Sequence, residues 1–405
     1  MKTPSLTRRG GLRVVAALAL GAASLGGLAG PALAQGFNAG SNGSLGDVVI
    51  AASTNIALPP DGILHFRSLE VASGADVRFT PNARNTPVYI LSQSNVVING
   101  RLFLDGASGV GLSGGVPGPG GFAGGQPGFS QASPGGDGYG PGGGKAGLMG
   151  FCSPTGPAGG GFGDFGSGAD DTHGRTYGGE LLMPLTGGSG GGGSTARSAG
   201  ETPVGGGGGG GALLIASNSR IDIIGGVFAR GGGARTCHDG GSGGAIRLVA
   251  PRVAGSGTLD VNGGGGGGRG RVRVDTIFTG EIGFSFQPAA SRFVGNNLLV
   301  FPPTIPSLNL VEVGGTGGSA GTAIPEGTIP DTIFLPFGST TNRTVKLRAR
   351  DFGRVVPVRV VLTPDSGPAR QFDTTIDNTA ANPAEATVDV TVPVNTKVTV
   401  HCWSL

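Results

Sequence analysis

The chain is poor in charge. Asp, Glu, Lys and Arg make up 13% of its 405 residues, about half the usual ~25%. That scarcity argues against an ordinary solvated, disordered polymer. It has three cysteines, Cys152, Cys237 and Cys402, at spacings that fit no zinc pattern. Its four histidines lie at unrelated places, so no Ser-His-Asp arrangement can be assembled from the sequence. Glycine is abundant but keeps no sustained Gly-X-Y register, which excludes collagen.

The N-terminus accounts for the excess positive charge. Residues 1–34 hold Lys2, Arg8, Arg9 and Arg13 and no acid, followed by a stretch rich in Ala, Leu and Gly. The stretch ends at Ala32-Leu33-Ala34, a small-x-small signal before Gln35, so a secretory signal peptide cleaved between Ala34 and Gln35 is expected. Thr7-Arg8-Arg9-Gly10-Gly11-Leu12-Arg13 resembles a twin-arginine export signal, with Gly11 where that motif favours Phe; the general secretory and twin-arginine routes both stay open. The leader holds four of the 28 basic residues and none of the 25 acidic ones, so residues 35–405 carry 24 against 25, a net charge of −1. No basic field remains to attract nucleic acid or anionic lipid. No nucleic-acid partner and no membrane span in the mature chain are expected, and the location expected is extracellular, cell-surface or periplasmic.

Glycine supplies 87 residues, about three times the usual share of ~7%. Apolar residues gather at 48–105, 212–230, 245–278 and 298–403, and glycine dominates 106–211. Within the apolar parts a repeat is visible. Val88-Tyr-Ile-Leu-Ser92, Ala212-Leu-Leu-Ile-Ala216 and Ile246-Arg-Leu-Val-Ala250 are short β-type runs. Each is followed, after a turn segment, by one of Leu102-Phe-Leu-Asp-Gly106, Val227-Phe-Ala-Arg-Gly231 and Leu259-Asp-Val-Asn-Gly263. These last three superimpose position by position. Period-two alternation puts their first and third residues on one face and Phe103 and Phe228 on the other. Short strands at repeated offsets, each ended by a glycine turn, predict the rungs of a β-solenoid, which bury their apolar faces by stacking. An antiparallel sandwich or jelly roll is the competing reading, and the column match favours the solenoid.

The glycine tracts at 141–144, 159–161, 187–194, 205–211, 231–233, 240–244 and 263–268 admit two arrangements. Ordering a glycine costs about 1–2 kcal/mol of backbone entropy and buries no side chain. The tracts therefore either bulge from one flank of the solenoid as loops, which is the expectation adopted, or pack together as a hydrogen-bonded bundle of polyproline-II-like chains.

Gly243-Gly-Ala-Ile-Arg-Leu-Val-Ala250, Gly255-Ser-Gly-Thr-Leu-Asp-Val-Asn-Gly-Gly264 and Val96-Val-Ile-Asn-Gly-Arg-Leu-Phe-Leu-Asp-Gly106 resemble glycine-rich secreted bacterial proteins of parallel β-helix, pectin-lyase-like character. The likeness covers about residues 45–275. It implies a right-handed parallel β-helix, and it brings in polysaccharide lyases and hydrolases as relatives of the broader group.

Pro302, Pro303 and Pro306 mark a linker, after which glycine is sparse and strands lengthen. About seven strands in ~100 residues predict an immunoglobulin- or fibronectin-like β-sandwich, without a Cys–Trp–Cys core. The expected organisation is a signal peptide at 1–34, a glycine-rich solenoid with long loops at 35–300 and the sandwich at 301–405. Cys402 runs in phase with Val398 and Val400 and reads as a small core residue. That leaves Cys152 and Cys237 as the expected disulfide in an exported chain.

Dense polar clusters are few. Asp170-Asp171-Thr-His173 and Cys237-His238-Asp239 could together ligate a metal, but both lie in glycine-rich segments where solvated turns are the ordinary reading. Gly166-Ser-Gly168-Ala-Asp170 resembles half a calcium-binding repeat without tandem copies. Gly142-Gly-Gly-Lys145-Ala146 resembles a phosphate loop, but Ala146 stands where Ser or Thr is needed. Asp105, Asp222, Asp260, Arg230 and Arg247 are strand-associated candidates for an outer catalytic face, yet fall mostly in different columns. The sequence therefore predicts no catalytic residue, no metal and no cofactor. It points to a secreted or cell-surface structural or adhesion-type protein, with a polysaccharide-binding or polysaccharide-cleaving β-helix enzyme as the alternative and extracellular polysaccharide or a cell surface as partner.

Overall fold

Alternation and glycine turns set the first architectural layer. In the computed structural model, which describes residues 36–149, 155–233, 239–325 and 332–405, the short strands, apart from a parallel pair of two-residue strands at Gly147–Leu148 and Ser194–Thr195, fall into three parallel sheets that the chain visits in turn. The first sheet takes Asp47–Ile50, Ser68–Val71, Val96–Ile98, Arg220–Ile223 and Arg252–Ala254. The second takes Thr54–Ala57, Asp76–Thr80, Arg101–Phe103, Gly226–Phe228, Thr258–Asp260 and Ser285–Gln287. The third takes Ile63–Phe66, Val88–Ser92, Ala212–Ser217, Ala245–Val249, Arg271–Asp275 and Arg292–Gly295. Register follows the repeat: Val227 lies between Leu102 and Leu259, and Ile215 between Ile90 and Leu248. The inward residues of all three sheets, Leu102, Leu104, Val227, Leu259 and Val261 among them, share one core. Phe103 and Phe228 face outward and stack with centroids 5.0 Å apart, with Arg78 and Arg230 over their rings.

Three excursions, 104–211, 229–244 and 261–270, leave after a strand of the second sheet and return into a strand of the third. They contain most of the glycine. Here the structure departs from the expectation of bulging loops, because the tracts pack against one another as a bundle. In 205–211, Gly206 and Gly209 donate their N–H groups to Gly125 and Phe122, Gly207 and Gly210 to Asp239 and Ser242, and Gly208 and Gly211 to Ala107 and Leu104. The carbonyls accept in the same rhythm. Gly115 and Gly118 donate to Gly206 and Gly209, Gly191 and Gly188 to Gly207 and Gly210, and Gly232 and Ala245 to Gly208 and Gly211. Partners recur every third residue and none lies within the tract, which is the signature of a polyproline II helix with three residues per turn.

The expectation of loops counts only the ordering cost of each tract, with no side chain to bury in return. The offset comes instead from the other tracts. Each bond contributes about 0.5–1.5 kcal/mol net, and most tract residues use both donor and acceptor. The glycines serve close approach: none in 205–211 sits in the left-handed region. A Cβ on Gly206 would lie 2.0 Å from the carbonyl oxygen of Gly191, and one on Gly209 1.9 Å from that of Gly188.

The parallel sheets end at Gly295, and the chain from Ser307 builds two four-stranded antiparallel sheets. One holds Ser307–Gly315, Thr322–Ala323, Asn342–Arg350 and Ala384–Thr391, the other Thr332–Phe334, Val355–Pro364, Arg370–Asp377 and Lys397–Ser404. Val345, Leu347, Val358, Val360, Val388, Val398 and Val400 fill one core between them, and Cys402 packs at its edge as a free thiol. The connector crosses the outer face of the third parallel sheet. There Arg247, fully buried, donates to the carbonyl of Leu299 at 2.7 Å and pairs with Asp275 at 3.3 Å. Tyr89 packs on Phe301.

Candidate functional site

The outer face of the second antiparallel sheet is where the bundle and the C-terminal sheets meet. Alternation turns Val358, Val360 and Leu362 inward and Arg359, Val361 and Thr363 outward. Pairing sets Trp403 beside Arg359 and Arg359 beside Asp373; His401 lies beside Val361 and Val361 beside Gln371. The bundle contributes Phe122 and the segment 134–139. Asp137 is nearly buried and bridges the two parts. It accepts from Lys145 Nζ at 2.7 Å, from the Ala146 amide at 2.8 Å and, across the junction, from the Ala369 amide at 2.9 Å. Ser366 Oγ donates to the Pro134 carbonyl, and the Tyr139 hydroxyl donates to Asp365. Burial raises the Tyr139 pKa, and the nearby Asp365 carboxylate adds to the effect.

His401 sits within this junction. It stacks on Trp403 at 5.4 Å and meets the rings of Phe122 and Tyr139 edge-on at 6.2 and 6.0 Å. Its Nδ1 is buried and has no hydrogen-bond partner among the described residues, and burial lowers its pKa to about 4. Burial also pushes the Cys402 thiol up to about 12.

Beside the junction lies a cleft of about 790 Å³. The bundle supplies Lys145, Asp171, His173, Arg175 and Tyr177 to it, and the sheet supplies Arg359, Gln371 and Trp403. Lys145 is paired with Asp137 and Arg359 with Asp373, both at 2.7 Å. Such a site can hold a polar ligand against an aromatic surface.

The candidates picked from sequence are dispersed. Asp105 pairs with Arg230 and Asp222 with Arg220, each at 2.7 Å. Asp260 accepts from Asn262, and Arg247 does face away from the parallel core but is buried under the connector. Of the polar cluster at 170–173, Asp171 and His173 line the cleft. Asp239 is buried in the bundle, whereas Cys237 and His238 lie outside the described residues, as do Cys152, Ala34 and Gln35. Among the described residues no group of three His, Cys, Asp or Glu is placed to hold a metal. Lys145 of the phosphate-loop-like segment is taken up by Asp137. Sequence reasoning missed Trp403, Arg359 and Gln371. The signal was present in Thr399-Val-His401-Cys-Trp403, where the residues out of phase with the inward valines include a His and the chain's single Trp.

No family model, no curated protein and no solved structure matches the chain. The fold itself defines an all-β protein of parallel and antiparallel sheets, its described helices limited to two three-residue 3-10 turns. Among the described residues no helix is long and apolar enough to cross a membrane.

Proposed function

We propose that this is an exported, non-catalytic structural or adhesion-type protein working at a cell surface. Its parallel sheets are the coils of a right-handed β-solenoid, the sense parallel crossovers adopt, and its C-terminal sheets are an immunoglobulin- or fibronectin-like sandwich. The observation that carries the reading is the glycine bundle. Its period-three hydrogen bonding joins distant stretches of chain through backbone alone, a way to stiffen a body that needs no ligand and suits a scaffold that holds a surface in place. The export signal expected at residues 1–34 supplies the location. The pectin-lyase-like resemblance favours extracellular polysaccharide as the partner, and the cleft beside Trp403 favours binding. A cleaving enzyme of the usual kind would need two free side-chain carboxylates flanking one bond; of the two side-chain carboxylates that line this cleft, Asp137 is committed to three donors.

The test is expression of the full chain with its leader, followed by fractionation and N-terminal sequencing. The expected result is protein outside the cytoplasm beginning at Gln35, and purified protein that leaves polysaccharide viscosity unchanged. Cytoplasmic protein beginning at Met1, or a fall in viscosity, would overturn the proposal.

A further inference from the structure

We infer that the cleft between the glycine bundle and the C-terminal sheet binds a neutral oligosaccharide, with Trp403 as the stacking surface and Asp171, Arg175 and Gln371 as the groups that read hydroxyls. The inference rests on the polysaccharide-binding reading and assigns it a place and a ligand class.

Four observations converge. The volume, about 790 Å³, falls within the range of small-molecule sites, about 300–1,000 Å³. Trp403 is pre-set: its ring stacks on His401 with planes 19° apart and meets the edge of Phe122 at 5.8 Å, so little rotamer freedom is lost when a sugar ring covers its remaining surface. The walls are fixed to each other through Asp137 and Ala369, so the cleft exists before a ligand arrives.

The fourth observation is the pattern of free polar groups. Lys145 and Arg359 are neutralised by Asp137 and Asp373. The side chains of Asp171, Arg175 and Gln371 line or border the cleft and make no hydrogen bond or ion pair among the described residues. One is an acceptor, one a planar donor and one both. Hydroxyl groups donate and accept at once, so they can use all three. The opposite charges of Asp171 and Arg175 leave no net field, which disfavours a polyanion such as a uronate chain.

Because Trp403 is the single tryptophan, its emission reports on this cleft alone. The full chain would be titrated with maltohexaose, cellohexaose, xylohexaose and chitohexaose, and with hexagalacturonate as the acidic comparison. We expect at least one neutral hexasaccharide to give a saturable emission change. Arg175→Ala and Gln371→Ala, both exposed positions, should weaken its binding by about tenfold or more at an unchanged unfolding temperature. Hexagalacturonate should bind more weakly. The inference falls if no neutral probe changes the emission or gives calorimetric heat, if hexagalacturonate binds more tightly, or if both variants bind like the parent. Surface location with a silent cleft would reject this inference alone; oligosaccharide binding by a chain retained in the cytoplasm would reject the surface role alone.

Discussion

The C-terminal sheets and the glycine bundle both exclude water from a long stretch of backbone, with opposite materials. In the sheets, Leu347, Val358, Val360 and Val398 fill the space between two layers, and burying each contributes about 1.5–3 kcal/mol. In the bundle, Gly205–Gly211 are buried with no side chain at all, and six neighbouring segments reach that one tract through hydrogen bonds. A sheet stays tolerant at its surface because side chains stand between layers. A glycine bundle has no such spacer, so its tolerance is set by carbonyl oxygens that cannot turn aside. The two regions should therefore fail in opposite ways, the sheets when atoms are removed and the bundle when they are added.

The largest effect belongs to the bundle. The methyl group of Gly209→Ala would lie 1.9 Å from the Gly188 carbonyl oxygen and 2.3 Å from its carbon. Both are backbone atoms, and the oxygen accepts from the Phe122 amide. Overpacking of ordinary cores costs about 1–3 kcal/mol, and here no rotamer can relieve it. A loss of at least about 3 kcal/mol is expected, read by chemical denaturation, and failure to fold is the extreme form of the same result. Native stability in this variant would break the comparison.

Leu347→Ala makes the reciprocal test. Leu347 is fully buried in the antiparallel core, and truncation there should cost about 2–5 kcal/mol. Hydrogen exchange should show lost protection in Asn342–Arg350 and its neighbours, with protection of Gly206–Gly211 retained. Equal loss in both regions would mean that they unfold as one unit.

How legible these regions were follows from the same contrast. The parallel sheets announced themselves because each inward column carries its own apolar side chains: Leu102, Val227 and Leu259 align in sequence and lie in register in space. The strands Asn342–Arg350 and Val355–Pro364 likewise alternate visibly. The bundle could be proposed from its tracts but not chosen, because a glycine carries no mark of its neighbours. Nothing in Gly207 indicates that it donates to Asp239 and accepts from Gly191. The cleft was hidden for a related reason: half its wall comes from the bundle, so Asp171 and His173 read as solvated turn residues until Trp403 and Gln371 were placed opposite them.

The junction between the two regions should be sensitive to acid. His401 has its pKa lowered to about 4 by burial, against about 6.5 in the unfolded chain. Above pH 6.5 both states are neutral and the histidine adds no pH dependence. As pH falls from 6.5 towards 4 the unfolded chain takes up the proton first, so stability drops, by up to about 3 kcal/mol. The groups around it are the rings of Phe122, Tyr139 and Trp403, with Asp365 on the Tyr139 hydroxyl. His401→Phe keeps an aromatic ring there and removes the proton site. Its unfolding temperature, compared with the parent's between pH 7.5 and 4.5, should fall less on acidification. Parallel curves would place the acid sensitivity elsewhere.

The smallest effects separate the reasons for using glycine at all. Gly314 and Gly317 both have open space where a Cβ would be, so the constraint that rules the bundle is absent. They differ in backbone. Gly314 has φ +79°, whereas Gly317 is outside the left-handed region. Gly314→Ala should cost about 1–2 kcal/mol for placing a Cβ in that region. Gly317→Ala should be neutral or stabilise by up to about 1 kcal/mol, since it only narrows the unfolded ensemble. Thermal unfolding of the two variants beside Gly209→Ala would then rank steric, conformational and idle glycines in one chain. A Gly317→Ala variant as damaged as Gly209→Ala would show that the glycine content serves something other than close approach.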